Sequence, residues 1–338
     1  MALQSIQLLK TLQSIFAQNT DNIELFQKAE IENPWFTQSN CKLAFESWAN
    51  SLTTVSIEAW IDREGIRENI EVSNKKVGVI LAGNLPLVGL HDILCCLIVG
   101  HSVIIKPSSQ DSVLIKWVVS QLTDSIPELK HKIMLSEGFV KGVDAYIGTG
   151  SNNSARYFEY YFKNKPNLIR KNRTSVAIID DSTTDEEIKA LGKDVFSYFG
   201  MGCRNVTHLF LPEKFDLENI IKYWTPYLDL INHHKYANNY TYHKAILLMN
   251  LDKHIDTGCL IMVERDQLQT PVAMLGYSYY KDISTLLSGL NSERENIQCV
   301  VANNKDLQMN TVSFGATQHP ELWDYADGVN TIQFLKQI

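Results

Sequence analysis

The segment 77–106 constrains the fold of this chain most. Residues 77–81 form a short apolar run typical of a buried strand, and residues 87–99 have the composition of a buried helix that ends at Gly100. Residues 102–106 form a second apolar strand, which a proline closes. A strand, a helix and a strand of this combined length predict a parallel crossover, and therefore an α/β fold.

The same alternation continues along the chain. Further strands are predicted at residues 145–147, 176–180 and 206–211, and further helices at 112–122, 154–163 and 184–199. Residues 1 to about 70 are predicted to be helical, because their apolar residues recur at helical spacing. A chain of 338 residues exceeds the size of one typical core, so we expect two domains or one elaborated α/β domain.

Charge and cysteine content argue against several classes of protein. The net charge of −7 argues against nucleic acid as the main partner, because phosphate binding requires a basic face. The six cysteines form no CxxC pair, and a chain of this length needs no disulfide bonds, so we predict a reduced protein in the cytoplasm. Residues 1–18 mix apolar and polar residues at helical spacing, which predicts an amphipathic helix rather than a signal peptide or a membrane span.

Cys203 lies in a setting that suits a reactive thiolate. Gly200 and Gly202 let the backbone bend sharply and let a substrate approach, and Arg204 places a cation beside the cysteine. A thiol attacks a carbonyl carbon as the thiolate, which a nearby cation or a helix N-terminus favours. Because free cysteine is commonly a small buried apolar residue, the local sequence leaves both interpretations open.

Polar residues and glycines follow three of the predicted strands. Asn84 follows the strand 77–81, Lys106 ends the next strand, and the turn 148–151 follows a third. Parallel sheets bind ligands at the carboxyl ends of their strands, so these positions are candidates for one site. Asn84 could instead turn the chain before Pro86, and a glycine pair is common in loops, so these structural alternatives stay open.

Taken in that order and spacing, Asn84, Lys106, the turn 148–151 and Cys203 resemble the aldehyde dehydrogenase superfamily. Four segments resemble more specifically the LuxC-type fatty acyl-CoA reductases: residues 81–87, 95–101, 200–206 and 325–331. The resemblance runs from about residue 77 to the C-terminus. It implies an aldehyde dehydrogenase-like α/β fold, with two doubly wound α/β domains and the active site between them.

The resemblance also implies how the chain divides. Its parts are a helical scaffold belonging to the cofactor domain (1–70), a nicotinamide dinucleotide-binding domain (71–180), a catalytic domain with the nucleophilic cysteine (181–310) and a C-terminal segment that packs back on the body (311–338). The implied reaction is the reduction of an acyl-CoA, typically fatty, to an aldehyde. Cys203 would attack the thioester and hold the acyl group for hydride transfer. Asn84 matches the residue whose side-chain amide forms the oxyanion hole with the backbone N–H of Cys203.

The cofactor residues are implied in the same way. Lys106 matches the lysine that binds the adenosine ribose, and Ser109 stands where many NAD-using relatives have an acidic residue. An acid there would repel a 2′-phosphate, so the pair favours NADPH over NADH. Gly148, Gly150 and Ser151 match the turn at which a helix N-terminus meets the pyrophosphate. Gln267 matches only loosely a glutamate that orients the nicotinamide ribose.

One departure from the superfamily pattern bears on the chemistry. Hydrolytic aldehyde dehydrogenases carry a glutamate in a Glu-Leu-Gly-Gly-Lys segment, whereas residues 167–171 of this chain are Asn-Leu-Ile-Arg-Lys. The missing general base favours an enzyme that keeps its thioester for reduction. Arg170 and its basic neighbours are predicted to form an exposed charged loop, and His208 is predicted to be structural. No histidine cluster has the spacing of metal ligands, so no metal is expected.

Three alternatives share these residues. The chain could catalyse the reverse reaction, the CoA-acylating oxidation of an aldehyde. It could be a cysteine-dependent acyltransferase that binds no nicotinamide cofactor, or a partner subunit without catalysis. In the leading interpretation the partner is an acyl-CoA or another acyl thioester, and the length of the acyl chain and the oligomeric state stay open.

Overall fold

Two compact units make up the chain. The computed structural model describes residues 2–66, 74–150, 152–303 and 309–338. The first unit comprises Met1–Asn172 and Pro320–Ile338, and the second comprises Arg173–His319. Each unit contains its own β-sheet and its own hydrophobic core. The boundary falls before the strand that the sequence analysis assigned to residues 176–180, because that strand pairs with strands of the second unit.

The first unit begins with four helices, α1 (Ala2–Gln18), α2 (Ile23–Glu32), α3 (Gln38–Ser51) and α4 (Thr54–Arg63). Side-chain oxygens of Asn22, Thr37 and Thr53 cap the backbone N–H groups at the starts of the last three. Apolar side chains from these helices join the core of the first sheet, which buries Phe16 and Trp60 completely. The predicted helical N-terminus is thus confirmed as far as Arg63, and residues 67–70 of that prediction lie outside the described residues.

The first sheet has five strands, β1 (Lys76–Ile80), β2 (Ser102–Lys106), β3 (Ile133–Leu135), β4 (Ala145–Thr149) and β5 (Asn167–Arg170). Three helices connect them, α5 (Leu90–Val99), α6 (Val113–Ser125) and α7 (Asn152–Phe162). Every strand pairs in parallel, in the order β3-β2-β1-β4-β5. The predicted crossover is confirmed, and Gly100 ends α5 with a φ of +102°, a conformation that favours glycine. The strand order reverses between β1 and β4, where open α/β sheets bind ligands.

The second unit contains the helices α8 (Asp185–Phe196), α9 (Glu218–Ile221), α10 (His234–Asn250) and α11 (Ile283–Ser292). Its strands are β6 (Thr174–Ile178), β7 (Val206–Pro212), β8 (Ile255–Asp256), β9 (Ile261–Glu264), β10 (Met274–Tyr280) and β11 (Ile297–Val301). They pair in the order β11-β6-β7-β10-β9-β8. The short strand β8 at one edge is antiparallel to β9, and the other pairs are parallel.

The last helix, α12 (Thr331–Lys336), belongs to the first unit. Ile332 and Leu335 are fully buried in the core that contains β1 and α5. Upstream of α12, the hydroxyl of Tyr325 accepts a hydrogen bond of 2.8 Å from Nε1 of Trp60 in α4. The C-terminal residues therefore complete the core of the first unit.

Arg170 corrects one prediction from the sequence. It lies at the end of β5 and is only 3% exposed, instead of standing on an exposed charged loop. Its guanidinium donates to Oδ1 of Asp92 in α5 at 2.8 Å, to Oγ1 of Thr331 at 2.7 Å and to the backbone oxygen of Ala326 at 2.5 Å. Pairing of β5 with β4 carries Arg170 inward, and the buried carboxylate of Asp92 compensates its charge.

Candidate active site

Cys203 differs from the other cysteines of the chain in its exposure. All six cysteines lie among the described residues and carry thiols; five are buried, whereas Cys203 is exposed. It lies on the loop 197–205, which joins α8 to β7 and which we call the Cys203 loop. Burial favours the interpretation of the other cysteines as small apolar residues, and exposure leaves the Cys203 thiol accessible to a substrate.

The Cys203 loop turns sharply where the sequence predicted a helix. The prediction extended the helix to residue 199, whereas α8 ends at Phe196. Tyr198, Phe199 and Gly200 have φ angles of +51°, +59° and +74°, which lie in the left-handed region. Side chains other than glycine rarely adopt this conformation, so tertiary contacts must hold it.

Asn205 provides such contacts from a fully buried position. Its Oδ1 accepts a hydrogen bond of 2.8 Å from the backbone N–H of Gly202. Its Nδ2 donates to the backbone oxygens of Asp194 at 3.0 Å and Ser197 at 2.9 Å. One amide therefore ties the residue before Cys203 to the end of α8.

Ser175, on the neighbouring strand β6, holds the Cys203 loop. Its hydroxyl donates to the backbone oxygen of Cys203 at 2.9 Å and accepts from the backbone N–H of Cys299 at 3.1 Å. Nη1 of Arg204 lies 3.4 Å from Sγ of Cys299, so part of its guanidinium contacts β11. A hydrogen bond from β6 thus holds the carbonyl group of Cys203 in place.

Asp194 is a further supporting residue that the sequence analysis missed. It is fully buried in α8, and its carboxylate accepts hydrogen bonds from the backbone N–H groups of Gly315 at 2.6 Å and Thr317 at 3.0 Å. Burial raises the pKa of Asp194, and these hydrogen bonds oppose that rise. An aspartate on the apolar face of a predicted helix was the signal that could have identified it. Ser175, a serine within an apolar strand, gave a similar signal.

Replacement of Asn205 by aspartate tests the role of its amide with little change in size. The carboxylate can still accept from Gly202, but its other oxygen would face two carbonyl oxygens, at a cost on the order of 2–3 kcal/mol. We expect a lower free energy of unfolding by denaturant. The matched control is Asn219→Asp, an exposed amide that accepts from Lys222. An equal loss in both variants would contradict this role.

Three candidate positions in the first unit meet at one edge of its sheet. In the strand register, Ile80 at the end of β1 pairs with Lys106 of β2 on one side and with Gly148 of β4 on the other. Asn84 is exposed on the loop that follows β1, and Ser109 is exposed on the turn that follows β2. The structure therefore brings Lys106, Gly148 and the loop of Asn84 to the carboxyl edge at the topological switch point.

Gly148 and Gly150 allow α7 to approach the end of β4 closely. A Cβ atom added at Gly148 would lie 2.9 Å from Cδ2 of Phe158, and one at Gly150 would lie 2.7 Å from Cβ of Ser154. A side chain at either position would force Phe158 or Ser154 of α7 to shift. A helix N-terminus generally favours an anion, so the pyrophosphate role of the turn before α7 stays a prediction. Ser151, which was predicted to join this turn, lies outside the described residues.

Asn167 and His208 make structural contacts, whereas Gln267 is exposed. Nδ2 of Asn167, at the start of β5, donates to the backbone oxygens of Phe162 at 3.3 Å and Lys165 at 3.0 Å. His208 is buried in β7, with Nε2 3.0 Å from Oγ of Ser278, and burial lowers the pKa of its imidazole to about 4. Gln267 is exposed and accepts a weak hydrogen bond from Arg265.

A metal site and a membrane span each require a recognisable arrangement of residues. Among residues 2–66, 74–150, 152–303 and 309–338, no group of three or more His, Cys, Asp or Glu side chains could hold a metal ion. Within the same ranges, no helix combines the length and apolar character that a membrane crossing requires.

Solved structures share this fold at low sequence identity. An oxidoreductase from Marinobacter aquaeolei superposes with a TM-score of 0.70 and 13% identity, over 95% of this chain and 79% of that protein. Aldehyde dehydrogenase 21 from Physcomitrella patens, in complex with the product succinate, superposes with a TM-score of 0.67 and 11% identity, over 100% of this chain and 84% of that protein. An aldehyde dehydrogenase from Bacillus cereus, in complex with NAD+, superposes with a TM-score of 0.64 and 12% identity, over 91% of this chain and 73% of that protein. A search of curated proteins by sequence found no significant match.

The aldehyde dehydrogenase-like fold implied by the sequence resemblance is thereby confirmed. A family profile described as acyl-CoA reductase (LuxC) matches residues 55–233, which is more than half of the chain. The matched range contains Asn84, Lys106 and Cys203. The chain therefore belongs to the LuxC family of acyl-CoA reductases, oxidoreductases that reduce an acyl-CoA thioester to an aldehyde.

Proposed function

We propose that this chain reduces its acyl-CoA substrate with NADPH through a covalent acyl intermediate on Cys203. The observation that carries the proposal is the exposure of Cys203 on a loop that buried side chains hold in place. An accessible thiol on an ordered loop meets the geometric need of a nucleophile. Each of the other five cysteines is buried.

Cys203 performs the first step as a thiolate. Its sulfur attacks the carbonyl carbon of the acyl-CoA, the bond between that carbon and the CoA sulfur breaks, and CoA leaves with a proton from solvent. The acyl group stays on Cys203 as a thioester. A bound dihydronicotinamide would supply the hydride for its reduction. Release of the aldehyde then returns the thiolate, so one acyl-CoA, one NADPH and one proton give an aldehyde, CoA and NADP+.

Asn84 would stabilise the oxyanion that forms on the carbonyl oxygen. We assign its side-chain amide and the backbone N–H of Cys203 as the two donors, because these positions match the oxyanion hole of the superfamily. Such donors contribute roughly 3 kcal/mol each when they are preorganised. Asn84 is exposed on the loop that follows β1.

The carboxyl edge of the first sheet fits a nicotinamide dinucleotide. Lys106 would bind the ribose of the adenosine half, and the turn of Gly148 and Gly150 would hold the pyrophosphate near the start of α7. The aldehyde dehydrogenase from Bacillus cereus that shares this fold was solved with NAD+. We infer NADPH rather than NADH, because Ser109 is uncharged at the position where many NAD-using relatives have an acidic residue that would repel a 2′-phosphate.

Replacing Ser109 by glutamate should change the choice of cofactor. The added carboxylate would repel a 2′-phosphate and could accept hydrogen bonds from the ribose hydroxyls of NADH. We expect the ratio of kcat/KM for NADPH to that for NADH to fall by about 10- to 100-fold, or 1.4–2.8 kcal/mol. Ser120→Glu, which adds the same charge on an exposed face of α6, is the control and should leave the ratio unchanged. An unchanged ratio in the Ser109 variant would remove this residue from the cofactor site.

Absence of a general base would protect the acyl intermediate from water. Asn167 occupies the position of the superfamily glutamate, and its amide is engaged with two backbone oxygens. An amide cannot take a proton from water, so the thioester persists until it is reduced. The thiol state of all six cysteines is compatible with the reducing cytoplasm, which we propose as the location.

The decisive experiment combines mass spectrometry with a cofactor assay. Incubation with acyl-CoA of graded chain length, without cofactor, should add the acyl mass to the peptide that contains Cys203 and release one equivalent of CoA. Addition of NADPH should then remove the adduct and give the aldehyde. NADPH consumption without an adduct would contradict the covalent route, and an adduct that NADPH leaves in place would favour an acyltransferase.

A further inference from the structure

Two loops at the carboxyl edge of the first sheet touch each other. The loop 81–89 follows β1 and carries Asn84, and the turn 107–111 follows β2 and carries Ser109. They approach so closely at Gly83 that a Cβ atom there would lie 2.5 Å from Oγ of Ser108. The proposed oxyanion donor and the proposed cofactor contact therefore stand on adjoining segments.

The side chain of Asn33 forms hydrogen bonds with both loops. It is only 4% exposed and lies just after α2. Its Nδ2 donates to the backbone oxygen of Gly83 at 3.2 Å and to that of Gln110 at 3.2 Å. Its Oδ1 accepts from the backbone N–H of Trp35 at 3.2 Å, which orients the amide.

Asp111 makes a second connection. It is 3% exposed, and its Oδ2 accepts a hydrogen bond of 2.8 Å from the backbone N–H of Leu87. Leu87 has a φ of +63°, which costs a residue with a side chain about 1–2 kcal/mol. The hydrogen bond thus holds the loop in a conformation that it would not adopt by itself.

Burial makes the position of Asp111 energetically unfavourable for a charged carboxylate. Its Oδ1 is buried and has no hydrogen-bond partner among the described residues. Burial is the main cause that raises its pKa to about 7, and the charge of Glu32 on α2 adds to the rise, whereas the N–H groups of Leu87 and Leu114 oppose it. The thiol of Cys41 on α3 also faces this carboxylate, and its own pKa is raised, mainly by burial. An apolar residue would avoid this cost, so Asp111 serves a purpose other than packing.

We propose that Asn33 and Asp111 are positioning residues, and we call this pair the loop clasp. The clasp attaches the loop 81–89 to the turn 107–111 and so holds the amide of Asn84 in place for oxyanion binding. The proposal rests on the proposed function, because it requires Asn84 to be an oxyanion donor. It follows that the clasp acts on acylation of Cys203 only through Asn84.

A double-mutant cycle tests this dependence. The measured quantity is the single-turnover rate of Cys203 acylation by an acyl-CoA without cofactor, followed by quenched mass spectrometry. We expect Asn33→Ala and Asp111→Ala each to slow acylation about tenfold when Asn84 is present, since loss of a whole oxyanion donor costs roughly 10²- to 10³-fold. In the Asn84→Ala background, each should change the rate less than twofold.

Two further variants separate positioning from a general loss of structure. Asp111→Asn keeps an acceptor for the N–H of Leu87, so it should restore most of the acylation rate that Asp111→Ala loses. Asp124→Ala removes an exposed aspartate from α6 and should not alter the rate. If Asp111→Ala does not fold, the cycle with Asn33→Ala carries the test alone.

The possible failures can be told apart. Equal slowing by the clasp variants with and without Asn84 would show an effect that bypasses Asn84 and would overturn the clasp. Unchanged acylation in both Asn33→Ala and Asp111→Ala would do the same. Failure of the unsubstituted protein to acylate Cys203 would instead refute the proposed function.

Discussion

Replacing Cys203 by alanine is expected to abolish the acyl-enzyme and to lower NADPH-dependent acyl-CoA reduction by about 10⁴-fold or more, as losses of nucleophiles do in other enzymes. The alanine cannot form the thioester, while the fold should change little because Cys203 is exposed. NADPH oxidation measures the rate, intact-protein mass spectrometry measures the adduct, and thermal unfolding reports the fold.

The matched control is Cys259→Ala, which removes a buried thiol from the same unit. It should cost some stability and keep the acyl adduct. Iodoacetamide under native conditions should label one site in the unsubstituted protein and none in the Cys203 variant, because the other five thiols are buried. Activity that survives in Cys203→Ala would assign the nucleophile elsewhere.

Replacing Arg170 by methionine should destabilise the first unit strongly. It would leave the carboxylate of Asp92 buried without its cation, and the removal of one partner of a buried pair costs about 3–5 kcal/mol. The side chain would also lose its hydrogen bonds to Thr331 and Ala326, which attach the C-terminal segment. Denaturant unfolding should show a lower midpoint.

Lys171→Met supplies the control for this effect. Lys171 is the next residue and forms an ion pair of 2.8 Å with Glu159, but both side chains are exposed. Its loss should therefore cost less than about 1 kcal/mol. The double variant Arg170→Met with Asp92→Asn removes both charges and should recover part of the stability. A cost for Arg170→Met alone that is no larger than the cost for Lys171→Met would contradict the role of the buried pair.

Local signals in the sequence identified β1, β2 and β4 of the first sheet but not the short strands β3 and β5. The apolar run 77–81, the terminal glycine of α5 and the strand 102–106 identify one crossover because each reports on its own neighbours in the chain. The register then placed Lys106 and Gly148 on either side of the same strand, as the rule for parallel sheets predicted.

The roles of other residues depend on partners that only the folded chain supplies. The burial of Arg170 requires Asp92 and Thr331, which are far away in sequence. The clasp likewise joins α2 to two loops of the sheet. Local patterns do not encode such pairs. For Cys203 the sequence left two interpretations open, and its exposure argues against that of a small buried residue.

The way the chain passes between its two units has a consequence for biosynthesis. The second unit is inserted into the first, which needs the residues after His319 to complete its core. During translation, the N-terminal helices and the first sheet leave the ribosome long before Ile332 and Leu335, which are buried among them. The inserted second unit can finish folding before α12 is synthesised. Until then, the first unit exposes an apolar surface to which chaperones can bind.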